Sequence, residues 1–197
     1  MRFIGFYDYT VILTYLSLVS AVLGIIFAHR GIFGAAMLCL FLSGFCDAFD
    51  GKVARTKKNR TEDEKAFGIQ LDSLCDVVSF GVAPAFTLYC MGVRSPAGVM
   101  ILCCFCICAV IRLAFFNVQE AKRQQVESGS NKFYRGLPVT SISIIYPLVF
   151  LLRRILPGEL FRVLLHLVMA VTAFLFVLDF SVKKPNFDKL LVKNKLP

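Results

Sequence analysis

The chain alternates long apolar runs with short, polar, mostly basic connections. The runs have the length of membrane-crossing helices and lack the two-residue alternation of half-buried strands. A helix needs about 20 apolar residues to cross the hydrocarbon core. Six segments approach that length, at roughly 10–28, 32–54, 68–91, 96–117, 139–156 and 160–180. The pattern predicts an all-α integral membrane protein with about six transmembrane helices in a single bundle. No internal repeat or low-complexity linker interrupts it, so residues 1–197 are expected to form one membrane domain. The lead-in RFIGFYDY is short and partly amphipathic, suited to the membrane interface. The first run lacks a cleavage-site pattern and reads as a retained helix. Gly81 and Pro84 should break the regular hydrogen bonding of the third run, which neighbouring helices can compensate in a membrane.

Composition sharpens this picture. A chain that is 57% hydrophobic with 20 phenylalanines is too apolar for an ordinary soluble domain. The net charge of +9 suits basic loops at a membrane face, or anionic lipid headgroups. Nucleic acid is not an expected partner, because the charges cluster in short loops between apolar spans. With both ends inside, 16 of the 22 Lys and Arg residues fall in inner segments and five in outer ones, with Arg112 inside a span. The positive-inside rule then puts the 52–67 loop at the cytoplasmic face. The eight cysteines fall inside the predicted spans and read as small apolar fillers, neither disulfides nor zinc ligands. His29 and His166 stand alone, which argues against a histidine metal site.

Chemistry concentrates between residues 47 and 76. Asp47 and Asp50 are three apart, Asp72 and Asp76 four apart, and either spacing puts both side chains on one helix face. Both pairs adjoin strongly apolar sequence, and carboxylates at membrane depth usually face a cavity, a partner or an ion. Four converging carboxylates cannot all ionise without countercharge. A hard divalent cation with oxygen ligands, one or two Mg²⁺ or Mn²⁺ ions, meets that need. Gly51 and Ala54 share the face of the first pair, and Gly68 opens the second helix one turn before Asp72. Such small residues let a flat group approach the backbone. Arg55 follows at once, with a planar fork of donors suited to phosphate. Metal, planar group and phosphate together point to a nucleotide diphosphate. A proton relay in a cation-coupled transporter, or solvated helix-end aspartates in a scaffold, would need the carboxylates but not the small residues and arginine.

The pattern D-x2-D-G-x2-A-R, a spacer, then G-x3-D-x3-D resembles the signature of the CDP-alcohol phosphatidyltransferases. Here it is Asp47, Asp50, Gly51, Ala54, Arg55, Gly68, Asp72 and Asp76, with a twelve-residue spacer, Thr56 to Phe67. The run Leu71 to Pro84, LDSLCDVVSFGVAP, is similar to the branch of that family that transfers to serine. So are IRLAFFN (111–117), with Phe115 where the branch commonly has a second arginine, and the Gly136-Leu137-Pro138 turn. Near the first span the family has Asn and Thr, and this chain has Tyr7-Asp8-Tyr9-Thr10. Asp8 is equally readable as a helix N-cap.

The resemblance implies a six-helix membrane fold, usually a homodimer among membrane lipids, in a prokaryotic cell membrane, with its site at the cytoplasmic face. Its substrates would be CDP-diacylglycerol and L-serine, giving phosphatidylserine and CMP. Asp47, Asp50, Asp72 and Asp76 would hold the metal, with Asp76 also the catalytic base. Gly51, Ala54, Arg55 and Gly68 would bind CDP-diacylglycerol. Arg112, Asn117 and Arg135 are the candidates for the acceptor, although Arg135 also reads as a positive topology residue. Glycerol 3-phosphate and inositol phosphate carry a phosphate that also wants arginines, so charge alone does not choose among acceptors.

Overall fold

The computed structural model describes residues 4–54, 56, 57, 59–126 and 133–183. Asp8 caps a short 3-10 turn, Tyr9–Val11, by accepting from the Thr10 backbone N–H, and the turn feeds helix α1, Ile12–His29. The chain reverses at Gly31, where φ is +75°, a conformation glycine adopts without Cβ strain, and enters α2, Phe33–Ala54. Among the described residues no other pair of helices packs as extensively as α1 and α2. Their seam is made of small residues, as membrane helices need when no hydrophobic force separates protein from lipid. Ser17 and Ser43 hydroxyls meet at 2.7 Å, and Ser20 donates to the Cys39 carbonyl at 2.8 Å.

Helix α3, Glu62–Asp76, continues through a π-helical turn, Val77–Val82, into α4, Ala83–Cys90. The π turn has a cause in the sequence. Pro84 has no N–H to donate back along the helix, and its ring clashes with the preceding turn. The chain widens there, and the Ala83 N–H reaches the Val78 carbonyl five residues back. This rod, Glu62–Cys90, is the most buried of the apolar helices. Helix α5, Pro96–Val126, runs past the end expected at 117, and α7 spans Gly158–Val177. Phe80 of the π turn, Phe105 of α5, Ile142, and Met169 and Phe176 of α7 are fully or almost fully buried together at the bundle centre.

All six expected segments are helical, and five helices are long and apolar enough to cross a membrane among the described residues. The segment at 139–156 differs. It holds a ten-residue helix, α6, Ile142–Leu151, between two 3-10 turns, Val139–Ser141 and Leu152–Arg154, with Pro147 inside. A 3-10 turn rises faster per residue than an α-helix, so this element gains length with fewer residues. Two three-residue strands, β1, Phe133–Arg135, and β2, Ser181–Lys183, pair antiparallel with Tyr134 opposite Val182. Leucines, valines and phenylalanines cover the outer faces of α1, α2, α5 and α7. Such a continuous apolar belt belongs in lipid. All eight cysteines are free, and Cys103 and Cys104 are exposed on that belt, so not every thiol is a buried filler.

Candidate active site

Asp47 and Asp50 sit in the last two turns of α2, and Asp72 and Asp76 in the last two of α3. The Asp47, Asp50 and Asp72 carboxylates each offer an oxygen within 4.8 Å of the others. All four aspartates wall one cavity, so the cluster is assembled between the two helices. Asp76 is 7% exposed, and Asp72 Oδ1 is buried with no hydrogen-bond partner. Thr14 of α1 donates to Asp50 Oδ2 at 3.2 Å. Oxygens on opposite sides of a Mg²⁺ ion lie about 4 Å apart. A slightly open triangle of three carboxylates, with an orphaned buried oxygen beside it, fits a hard divalent cation.

Two cavities meet at these carboxylates. The larger, about 220 Å³, is walled by all four aspartates, by Arg112, Leu113 and Phe116 of α5, and by Pro138, Val139 and Thr140. The smaller, about 140 Å³, shares Asp50 and Asp72 and continues along Gly51, Ala54 and Gly68 to Thr10, Thr14, Arg60 and Lys65. The small residues of α2 and α3 therefore line one space and Arg112 lines the other. Arg112 is 7% exposed, and its Nε donates to the Leu137 carbonyl at 3.1 Å. Gly136, with φ +72°, forms the turn beside it: a Cβ there would make only ordinary contact with Arg112 Cζ at 3.6 Å, but would crowd the Leu178 carbonyl at 3.0 Å in a conformation that side chains rarely adopt.

Residues 9–178, most of the chain, match the family described as CDP-alcohol phosphatidyltransferase. The chain belongs to that family. Among curated proteins it is 40% identical over 116 residues to CDP-diacylglycerol–serine O-phosphatidyltransferase of Saccharomyces cerevisiae, 57% of this chain and 41% of that one. It is 32% identical over 127 residues to the protein of the same name in Mycobacterium tuberculosis, 64% of this chain and 43% of that one. It is 34% identical over 129 residues to archaetidylserine synthase of Methanothermobacter thermautotrophicus, 65% of this chain and 51% of that one. The chain thus spans about half or less of the length of these relatives. No solved structure matches it.

The geometry of this family member refines the sequence reading in three places, and at Asp8 it bears out one of the two readings offered. Gly68 does not open the second helix. Helix α3 begins two turns earlier, at Glu62, under a reciprocal cap in which Glu64 N–H donates to Thr61 and Thr61 N–H donates back to Glu64. The signal was present as Thr61-x-x-Glu64, and it lay inside a charge run read as solvated loop. Starting the helix early brings Arg60 and Lys65 to the smaller cavity. Asn117 does not line the larger cavity. It accepts from Ser73 at 2.9 Å and ties α5 to α3 beside Asp72. Asp8 acts as an N-cap and also pairs with Lys57 at 2.8 Å, while Lys57 reaches Glu64 at 3.1 Å. Arg55 lies outside the described residues, as does the side chain of Arg135, whose backbone is in β1.

Proposed function

We propose that this chain transfers the phosphatidyl group of CDP-diacylglycerol to the hydroxyl of L-serine, giving phosphatidylserine and CMP. The observation that carries the reading is the meeting of two unlike cavities at one carboxylate cluster. The side lined by Gly51, Ala54 and Gly68 suits a flat nucleotide, with Arg55 for a phosphate. The side lined by Arg112 and Thr140 suits a small polar acceptor, and a guanidinium there suits the serine carboxylate. Arg135, next to Gly136, is a further candidate for that carboxylate. The names of the relatives support serine over other alcohols.

Asp47, Asp50, Asp72 and Asp76 would hold one or two Mg²⁺ or Mn²⁺ ions, which when bound neutralise the diphosphate and stabilise charge on the departing CMP. Asp76 is the most buried acid of the cluster and serves as the base. It takes the hydroxyl proton as the serine oxygen bonds to the lipid-side phosphorus and the phosphorus–oxygen bond to CMP breaks. The apolar belt supports a multi-pass placement, with the acyl chains in lipid. Charge counting supports a cytoplasmic site. A homodimer is part of the same reading.

The test is metal-dependent CMP release by the purified chain with serine, glycerol 3-phosphate or inositol phosphate supplied separately. Serine alone is expected to stimulate release, and Asp76→Asn should lower it by about 10²-fold or more. Stimulation by another alcohol keeps the chemistry and replaces the acceptor. Folded protein that releases no CMP under any condition removes the reading.

A further inference from the structure

Arg60 belongs to the spacer between the two aspartate pairs, outside the fixed positions of the motif. Its guanidinium lies over the small-residue floor of the 140 Å³ cavity, where a Cβ on Gly68 would come 2.7 Å from Arg60 Nη2. Nη2 donates to the Glu64 carbonyl at 3.0 Å, which anchors the group at the first turn of α3. The Arg60 Nε–H is buried and has no partner, and Arg60 pairs with no carboxylate among the described residues.

A buried donor on a cation is costly to leave without an acceptor. Gly68 and Asp72 are one turn apart, about 6 Å along the α3 axis. Arg60 thus stands one turn from a carboxylate that both cavities share; Lys65 lines the same wall, with its ammonium paired to Glu62 at 2.7 Å. A guanidinium with a buried, unpartnered N–H answers a phosphate oxygen better than a neutral pyrimidine ring. On the nucleotide reading above, we infer that Arg60 is a phosphate-positioning residue. Its free N–H groups donate to a diphosphate oxygen of the bound nucleotide, on the side away from the acceptor cavity. Arg60 adds to the charge supplied by the motif's Arg55, and it does so only because the helix begins at Glu62.

The inference is tested by calorimetric binding of CDP and of cytidine to the detergent-purified full chain in Mg²⁺. Wild type, Arg60→Ala and Arg60→Lys are compared, with circular dichroism confirming that each is folded. Loss of a charged hydrogen bond should weaken CDP about 10-fold or more in Arg60→Ala. Cytidine affinity should stay within about 2-fold, and Arg60→Lys should recover part of the CDP loss through its retained charge. Unchanged CDP affinity in folded Arg60→Ala overturns the inference and leaves the nucleotide reading standing. Equal losses for CDP and cytidine also overturn it, because the contact would then be to the base or ribose. If folded wild type binds neither ligand, the nucleotide reading itself fails and takes this inference with it.

Discussion

The two cavities that meet at Asp50 and Asp72 are assembled in opposite ways. The smaller one draws all its residues from positions 10–72, and most of them from the end of α2 and from α3. The larger one joins α2 and α3 to residues 112–116 and 138–140, which come from two distant stretches. Their cations differ to match. Arg60 reaches its cavity with an N–H to spare, whereas Arg112 is almost fully buried and already donates to the Leu137 carbonyl. One wall follows from helix geometry over a few turns, and the other depends on how the far end of the chain packs. Damage to the first should therefore stay local, while damage to the second should travel.

The strongest way to separate the two sides is at Arg112. Arg112→Lys keeps a charge but loses the planar fork that can hold a backbone carbonyl and a carboxylate together. Losing one charged hydrogen bond of about 1.5–3 kcal/mol predicts a rise in the serine KM of roughly 10- to 100-fold. The KM for CDP-diacylglycerol should move less than about 2-fold, as initial rates with each substrate varied in turn will show. Parallel rises in both constants would mean that the two cavities do not divide the substrates as proposed.

Gly136 tests whether damage on the acceptor side travels. Its N–H donates to the Phe180 carbonyl at 2.6 Å, and the next residue, Leu137, donates to Leu175 at 3.3 Å. The carbonyl that orients Arg112 is thus pinned to the C-terminal end of α7 and the start of β2. Gly136→Ala places a Cβ in a left-handed conformation and against the Leu178 carbonyl. The conformational part alone costs about 1–2 kcal/mol. The expected outcome is a lower melting temperature in detergent and a serine KM raised several-fold, with CDP binding unchanged. A stable variant with an unaltered serine KM would show that the turn does not position Arg112.

The same contrast explains what could be read before the fold was known. Asp47, Asp50, Asp72 and Asp76 were legible because three- and four-residue spacings fix a helix face without any tertiary information. Gly51, Ala54 and Gly68 followed for the same reason. Arg60 was hidden by the start of α3, where a capping box inside a charge run carried the decisive signal. On the acceptor side Arg112 was visible as an unexplained charge in an apolar run. Thr140 gave no signal at all, because nothing local places residues 138–140 against α2. The segment at 139–156 illustrates a further limit. Hydropathy sums over the window, and it does not register that Pro147 and flanking 3-10 turns divide an apolar run into short pieces. The π turn was anticipated as a break at Gly81 and Pro84, but a break does not specify which wider hydrogen bond replaces the lost one.

The mildest test lies at the outer edge of the nucleotide side. Lys57 bridges Asp8 and Glu64 and so ties the lead-in to α1 onto the first turn of α3. The Lys57 ammonium, hydrogen-bonded to the Asp8 carboxylate, and then the Thr10 hydroxyl hold the Asp8 pKa down at about 2. A depressed acid stabilises the fold above its ordinary value of 3.8, and that stability is lost as pH falls from there towards about 2. Asp8→Asn keeps an N-cap acceptor and removes only the charge. A partly exposed ion pair is worth about 0–1 kcal/mol. The difference in melting temperature between wild type and Asp8→Asn should therefore be small and level from pH 5 to 8, and should shrink below pH 4. CDP affinity should fall less than about 3-fold and the serine KM should not move. A change in the serine KM here would carry an effect from the nearer wall to the farther one, against the separation that the two cavities display.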